Sequence, residues 1–266
     1  MNVLSLFDGI SCARIALERA GINVYKYYAS EIDKDCISVS IQNYPDIIQL
    51  GDINNYNNWV LPKIDLVIGG SPCQSLSCAG RQKESGLKQG KSILFWKYVE
   101  VLKLFEPAYF IFENVASMKL SDKNIITNAL NVGPVKINSK LVSAQLRNRF
   151  YWTNIKDTIA PVDKNIKLSD ILENGYTERE KSYCITATYG RACLNDYVLH
   201  SQRQLVFKNK ECRSMRKLTP EECEILQTIP VGYTSGYSDN KRYKMIGNAF
   251  TVDVITHILK KVRLYV

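Results

Sequence analysis

The chain lacks several features that would place it in common classes of protein. Its 266 residues include only two histidines, His200 and His257, which argues against a His-rich metal site. The eight cysteines form no C-x-x-C pair, and the N-terminal MNVLSLFDG has neither the basic stretch nor the cleavage site of a secretory signal. No apolar run is long enough to span a bilayer. We therefore expect a cytoplasmic protein with reduced thiols, no metal and no membrane segment.

The charge is unbalanced towards the basic side, with a formal net charge of +9. Residues 179–217 carry nine Lys and Arg against three Asp and Glu, and residues 81–91 carry four basic side chains against Glu84 alone. A solvated basic surface would explain this pattern, and so would a polyanionic partner such as nucleic acid. The charge indicates the class of partner and says nothing about the fold.

The first half of the chain alternates short apolar runs with helical patterns. Strands are expected at 3–7, 24–30, 47–50, 64–68 and 108–112, with helices at 12–20, 33–44 and 92–105. This rhythm predicts an α/β fold with a doubly wound, mostly parallel sheet. After Trp152 the pattern weakens, and residues 175–213 predict a small irregular region. Regular helices are expected again at Thr219–Gln227 and at Phe250–Val262. We predict one domain at 1–172 plus 246–266 and a second at 173–245.

A cysteine directly follows the fourth predicted strand. Ile64–Gly70 leads into Ser71-Pro72-Cys73-Gln74, so Cys73 stands where chemistry collects in open α/β sheets, at the carboxyl end of a strand. A free cysteine is more often a small buried hydrophobe. The position after two glycines, in a loop, favours a nucleophile here.

Three other strand ends carry residues suited to a nucleoside. Asp8-Gly9 follows the first strand, Glu31 the second and Asp52 the third; an acidic residue at the second end can accept hydrogen bonds from ribose hydroxyls. Ser11 and Cys12 stand where a G-x-G-x-x-G fingerprint would have glycines, so a nicotinamide or flavin dinucleotide is poorly supported. The alternative is that these are ordinary turn and strand-end polar residues.

An acid and two arginines follow later. Glu113 comes after the apolar strand Ala108–Phe112, where partial desolvation would help it to keep a proton near neutral pH. Strand alternation would place Gln145, Arg147 and Arg149 on one face. Two arginines on one face require anions or acceptors nearby.

These stretches together resemble the cytosine-C5 DNA methyltransferases. The matching segments are LFDGISCAR, SEID, GDI, GGSPCQ, FENV, QLRNRFYW, RKLTPEECEILQTIP and GNAFTVDV, in the family's order and over nearly the whole chain. The set of GGSPCQ, ENV and QxRxR is highly specific. The sequence departs from the family at Ser11 and Cys12, where glycines are usual, and at Ala249 and Phe250.

The resemblance implies a Rossmann-like methyltransferase fold with a small target-recognition domain, and a role for each matching residue. Cys73 would be the nucleophile, Glu113 would protonate cytosine N3, and Arg147 and Arg149 would orient the catalytic residues and the flipped base. Pro72 would shape the turn at Cys73. The residues matching the S-adenosylmethionine pocket, with Pro72 among them, are Phe7, Asp8, Gly9, Ile10, Glu31, Ile32, Asp52, Ile53, Leu94, Asn248, Ala249 and Phe250.

The implied activity is methyl transfer from S-adenosylmethionine to C5 of a cytosine that has left the stack of double-stranded DNA. Residues 74–91 would close over the base and 175–245 would read the major groove. We expect a monomeric bacterial or phage-encoded enzyme, with a cognate restriction enzyme as a further candidate partner. Two alternatives stay open. One is a tRNA cytosine-C5 methyltransferase, although the Cys-Phe-Thr motif of its eukaryotic members is absent. The other is a catalytically inactive DNA-binding protein, against which intact Cys73 and Glu113 argue.

Overall fold

A computed structural model describes residues 1–72, 94–211 and 214–262. The chain forms two compact units: the first comprises Met1–Ile137, Asn148–Ala160 and Thr256–Val266, and the second Asn138–Arg147 and Pro161–Ile255. These bounds differ from the predicted domains, because the second unit takes in 138–147, 161–172 and 246–255. The functional division at 173–245 stays a prediction.

The first unit is built on a seven-stranded sheet with the order β3-β2-β1-β4-β5-β7-β6. The strands β1 to β5 run parallel to one another, and β7 pairs antiparallel with β5. The α/β class and the mostly parallel sheet are confirmed. The strands span Asn2–Leu6 (β1), Lys26–Ser30 (β2), Ile48–Gln49 (β3), Leu66–Gly69 (β4), Tyr109–Val115 (β5), Pro134–Asn138 (β6) and Asn148–Thr153 (β7).

Helices join these strands and pack on a continuous apolar core. They are α1 (Cys12–Arg19), α2 (Lys34–Asn43), α3 (Leu94–Phe105) and α4 (Leu120–Leu130). Phe112 of β5 lies at the centre of the core, with ring centroids 5.2 Å from Phe95, 4.8 Å from Tyr98 and 5.8 Å from Trp152. Tilted aromatic contacts at these distances stabilise beyond the area they bury. Glu113 directly follows Phe112, so this packing also holds the backbone at Glu113.

Two expectations about the last strands are corrected. The strand β5 continues to Val115, so Glu113 and Asn114 lie within it and do not follow it. The strand β7 begins at Asn148, so Gln145 and Arg147 do not share a strand face with Arg149. Residues 145–147 instead bond to other backbone segments: Leu146 N–H donates to Ser182 O at 2.9 Å, and Arg147 O accepts from Ser139 N–H at 2.9 Å.

The second unit is irregular, as expected, but it contains more helix than its sequence indicates. It holds a two-stranded antiparallel sheet of β8 (Leu205–Phe207) and β9 (Met215–Lys217), and the helices α5 (Leu194–His200), α6 (Pro220–Leu226) and α7 (Asp239–Asn248). Helix α6 starts as predicted, with Thr219 and Glu222 forming a reciprocal capping box. The chain leaves this unit within α8 (Val252–Leu259). No helix in the described residues is long and apolar enough to cross a membrane.

Candidate active site

The loop that leads to Cys73 is fixed at the end of β4. Gly69 is the last residue of that strand, and a Cβ there would lie 2.5 Å from Leu6 O of β1, so only glycine fits. Ser71 is buried, and its carbonyl accepts a hydrogen bond from the Asn114 side chain at 3.3 Å. Asn114 is itself held, because its Oδ1 accepts from Val115 N–H at 2.8 Å. The loop is therefore tied to β5, next to Glu113.

Cys73 and the predicted closing loop, 74–91, lie outside the described residues. Pro72, half-buried, is the last residue described before them. The expectation that the strands bearing the cysteine and the acid are neighbours is confirmed, since β4 and β5 pair in parallel with Gly69 opposite Phe112.

Glu113 is paired with Arg149 across the antiparallel strands β5 and β7. Arg149 Nε lies 2.8 Å from Glu113 Oε1, and the two side chains are only 14% and 12% exposed. A second guanidinium nitrogen donates to Asn148 O at 2.9 Å, which fixes the orientation of the arginine. An ion pair this enclosed is screened little by solvent. The sequence predicted the acid and the arginine separately but not that they would pair.

Arg147 lies in the second unit and contacts only groups of that unit in the bonds described. Its guanidinium donates to Ile185 O and to Ala249 O, each at 2.9 Å, and to Gly247 O at 3.3 Å. Gly247 is required at this place, because a Cβ would lie 2.2 Å from the Thr186 carbonyl carbon. Arg147 therefore joins the chain at 185 to the chain at 247–249, a role different from that of Arg149.

The strand ends predicted to hold a nucleoside are neighbours in the sheet. β1, β2 and β3 are consecutive, so Gly9, Glu31 and Asp52 follow adjacent parallel strands. Ser30 Oγ donates to Gly51 O at 2.8 Å and joins the second strand end to the third. Gly9 has φ +59°, and an added Cβ would meet no heavy atom within 4 Å. Glycine is needed there for its backbone conformation, and the space beside it is open.

The carboxylates of Glu31 and Asp52 both accept hydrogen bonds from backbone N–H groups. Glu31 Oε2 accepts from Gly9 N–H, and Oε1 accepts from the N–H groups of Ile32 and Asp33, all at 2.8 Å. A carboxylate offers about four acceptor positions, so Glu31 keeps one at Oε2 for a ligand hydroxyl. Asp52 Oδ1 accepts from Asn54 N–H at 2.9 Å and caps the 3-10 helix Ile53–Asn58.

The predicted apolar pocket residues divide by exposure. The Ile32 side chain is 71% exposed, so a ligand ring could pack on its apolar surface. Ile10 and Ile53 are 1% and 3% exposed, so their side chains serve the protein interior. Phe7 and Leu94 are partly buried against the core cluster.

Asp8 is buried, and both of its oxygens accept hydrogen bonds from within the chain. Tyr27 donates to Oδ1 at 2.6 Å and Ser11 donates to Oδ2. Burial is the main cause that raises the pKa of Asp8 to about 6, against the smaller lowering effect of its hydroxyl donors.

The remaining predicted pocket residues belong to the second unit. Asn248 is exposed at the end of α7, Ala249 is buried and Phe250 is partly buried. Their assignment to the cofactor pocket rests on the resemblance. Their backbone is held by Arg147 and by the buried Gln227, whose Nε2 donates to Ile246 O at 3.0 Å and Ala249 O at 3.2 Å.

The family model of the C-5 cytosine-specific DNA methylases matches residues 1–145 and 138–263. The chain belongs to this family. The phage protein "Orphan methyltransferase M.SPRI" of Bacillus phage SPR is 33% identical over 190 residues, 66% of this chain and 43% of that protein. A second phage relative, from Bacillus phage rho11s, is matched over 37% of its length, so the chain spans less than half of either. "Type II methyltransferase M.DsaV" of Dactylococcopsis salina is 26% identical over all of this chain and 87% of its own.

Solved structures support the fold of this chain. A DNMT2 mutant from Spodoptera frugiperda has a TM-score of 0.69 at 19% identity, with 98% of each chain covered. The methyltransferase EhMeth of Entamoeba histolytica has a TM-score of 0.74 at 17% identity, covering 98% of this chain and 97% of its own. At such low identity these likenesses establish the Rossmann-like fold and nothing finer.

Several residues of the candidate site were not anticipated from the sequence. Asn114 was read only as part of a motif, and Tyr27, Ser40 and Gln227 were not considered as functional residues. Ser40 carried one signal, since it lies on the buried face of α2 beside Cys36 and Val39, where an apolar residue is expected. Nothing in the pattern around Tyr27 distinguishes it from an ordinary aromatic strand residue.

Proposed function

We propose that this protein methylates C5 of a flipped-out cytosine in double-stranded DNA, with S-adenosylmethionine as methyl donor and Cys73 as covalent nucleophile. The observation that carries the proposal is the enclosed pair of Glu113 on β5 and Arg149 on β7, beside the strand and loop that lead to Cys73. A nucleophile and an acid on neighbouring strands are what addition to a pyrimidine ring requires.

The site residues divide the chemistry between them. The Cys73 thiolate adds to C6 of the cytosine and leaves C5 rich in electrons, while Glu113 lends a hydrogen to N3. Arg149 holds the Glu113 carboxyl in place through its 2.8 Å contact. Once C5 has taken the methyl group, with S-adenosylhomocysteine as the leaving group, a base removes the C5 proton and Cys73 departs as the C5–C6 double bond re-forms. N3 then returns its proton to Glu113.

The strand ends fit the cofactor. Bound S-adenosylmethionine would supply an electrophilic methyl group. The open face of Gly9, the remaining acceptor position of Glu31 and the exposed Ile32 side chain offer backbone, polar and apolar contacts for a nucleoside. Asp52 has the carboxylate to accept from an exocyclic amine. We assign Pro72 and Leu94 to the same pocket on the resemblance alone, and on the same ground we assign a role in cofactor binding to Asn248–Phe250.

A mechanism-based trap tests the covalent step. Duplex DNA carrying 5-fluorocytosine lacks the C5 proton that elimination needs, so wild-type protein with cofactor should form a stable adduct seen as a shifted band under denaturing conditions. Cys73→Ala should form none and should still bind DNA in a mobility-shift assay. The buried cysteine Cys223 offers a matched control, because Cys223→Ala should leave the adduct yield unchanged. An adduct with Cys73→Ala would refute the mechanism.

The substrate is tested separately. Labelled cofactor should transfer its methyl group to duplex DNA and not to tRNA when the two are supplied side by side. Transfer to tRNA alone would replace DNA by tRNA as substrate, and transfer to neither would favour an inactive DNA-binding protein. Bisulfite sequencing of DNA from cells expressing the protein would then give the modified positions with their flanking bases.

A further inference from the structure

The loop after β1 departs from the family pattern at Ser11, and the structure shows what the serine does there. Ser11 precedes α1, has φ +57° and is fully buried. Its hydroxyl bonds to Asp8 Oδ2 and lies 2.8 Å from the hydroxyl of Ser40 on α2. A serine in the left-handed region is less favourable than a glycine, so its contacts must offset that cost.

Four buried side chains meet beneath this loop, from four different segments. They are Asp8 after β1, Ser11 before α1, Tyr27 on β2 and Ser40 on α2, and we call them the Asp8 cluster. Tyr27 donates to Asp8 Oδ1 at 2.6 Å. The Ser40 hydroxyl lies 3.2 Å from Gly9 O and 3.0 Å from Cys36 O. The cluster therefore joins the loop to a strand and a helix of the first unit.

The N–H and the carbonyl of Gly9 both have hydrogen-bond partners within the first unit. Its N–H donates to Glu31 Oε2 at 2.8 Å, and its carbonyl lies within hydrogen-bond distance of Ser40. The position that a Cβ would occupy has no heavy atom within 4 Å. Gly9 is thus fixed on the protein side and open on the other, which is the arrangement that a ligand-binding backbone requires.

The protonation state of the Asp8 carboxyl sets the direction of these hydrogen bonds. When it is ionised, Tyr27 and Ser11 both donate to it, and the one proton of the Ser40 hydroxyl is shared between Ser11 Oγ and Gly9 O as alternative acceptors. When it is protonated, it can donate to Ser11, Ser11 to Ser40, and Ser40 to Gly9 O. The other groups that act on it are the Ser5 hydroxyl of β1 and the charge of Glu31. Because its oxygens are occupied from within and it is only 6% exposed, Asp8 has little surface to offer a ligand.

We propose that the Asp8 cluster sets the position of Gly9 for cofactor binding, with Asp8 acting through Ser11 and Ser40 and not by touching the cofactor. The inference rests on the proposed function, because it takes S-adenosylmethionine to bind at Gly9. It makes Asp8, Ser11 and Ser40 positioning residues. It also explains how this chain tolerates a serine at a glycine position of the family.

A matched pair of variants on one helix tests the proposal. Ser40→Ala removes the hydroxyl beside Gly9 O, whereas Ser38→Ala makes the same change at an exposed position of α2. Loss of one hydrogen bond should weaken S-adenosylhomocysteine binding, measured by titration calorimetry, by about two- to ten-fold in Ser40→Ala. Ser38→Ala should bind like wild type. In steady-state assays, Ser40→Ala should raise KM for S-adenosylmethionine with kcat and KM for DNA unchanged, a separation that a general loss of folding would not produce.

Asp8→Asn separates positioning from contact. The amide can accept from Tyr27 and donate to Ser11, so a positioning role predicts S-adenosylhomocysteine binding within about three-fold of wild type. An anionic contact with the cofactor predicts a loss larger than that of Ser40→Ala, since charged hydrogen bonds are the stronger ones. Ser11→Gly relieves the backbone and removes the hydroxymethyl group with its bonds to Asp8 and Ser40, so it should weaken binding even if Ser40→Ala fails to fold.

The outcomes separate the two proposals. A wild-type protein that binds no S-adenosylhomocysteine refutes the proposed function and this inference with it. A wild type that binds, with Ser40→Ala and Ser11→Gly binding equally well, refutes the inference alone. The inference is also overturned if Asp8→Asn loses ten-fold or more while Ser40→Ala is unchanged.

Discussion

The buried carboxyl groups of the two units accept hydrogen bonds from different kinds of donor. In the second unit, Glu224 is fully buried and accepts from Gly232 N–H at 2.6 Å, Thr234 N–H at 2.8 Å and the Arg242 guanidinium at 3.1 Å. Glu222, also fully buried, takes two bonds from Arg216 at 2.7 and 2.8 Å. In the first unit, the described bonds to Asp8 come from hydroxyls alone.

This difference teaches what each kind of buried acid does. A carboxylate paired with an arginine fastens segments of irregular chain, and removal of one partner leaves an uncompensated charge. A carboxyl surrounded by hydroxyls keeps its proton to a higher pH, because burial outweighs the donors and raises its pKa to about 6. The paired acids of the second unit are structural ties, whereas Asp8 can titrate close to neutral pH.

The largest effect on stability should come from breaking the buried Arg242–Glu224 ion pair of the second unit. Arg242→Ala removes the cation from the buried Glu224, so we expect the free energy of unfolding to fall by about 3–5 kcal/mol. Urea denaturation followed by tryptophan fluorescence measures it. Lys97→Ala, which breaks the partly exposed Lys97–Glu100 pair, is the control and should change little. Equal effects of the two variants would show that burial does not distinguish these pairs.

The next effect concerns the enclosed Glu113–Arg149 pair at the proposed catalytic site. Glu113→Gln keeps a partner for Arg149 but removes the acid, so kcat for DNA methylation should fall about 100-fold or more, some 2.7 kcal/mol in barrier. The fall in unfolding free energy should stay well below that of Arg242→Ala. A near-wild-type rate would mean that another group protonates N3, and a large stability loss would make Glu113 a structural tie.

The smallest effect should appear as a pH dependence of stability. Folding raises the pKa of Asp8 from its ordinary 3.8 to about 6, so the folded protein binds this proton more tightly. The resulting stabilisation is complete below pH 3.8 and is lost as the pH rises through about 6. Between pH 8 and pH 5, the unfolding free energy of wild type should rise by about 1.4 kcal/mol relative to Asp8→Asn. A constant difference across this range would show that Asp8 does not titrate there.

The regular part of the fold could be predicted because its signal is local. The strands β1 to β5 and the helices α1 to α3 follow apolar periodicity, and each was expected within a few residues of its place. The arrangement of β6 and β7 could not be predicted in the same way. An antiparallel partner for β5 depends on contacts between distant segments, such as Glu113 opposite Tyr151, and a single sequence does not display those.

The site shows the same limit at the level of side chains. Glu31 and Asp52 were expected at two strand ends of one nucleoside site, and the sheet order places those two strands side by side. Two arginines separated by one residue in QLRNR were expected to act together, but Arg147 bonds to carbonyls at 185 and 247–249 while Arg149 pairs with Glu113. The strand begins between them, at Asn148, and the polar contacts that hold 145–147 outside it are non-local.

The chain visits the two units alternately, and this bears on its synthesis. The first unit is interrupted at 138–147 and again at 161–255, and it is completed only by the segment that starts at Thr256. Thr256 then bonds to Ala16 O at 3.4 Å, closing onto residues made far earlier. At ordinary rates of translation, the ribosome needs roughly 5 to 20 s to make the second interruption. The nascent sheet must wait through that interval for its last helix, so a chaperone that shields it then would raise the yield of native protein.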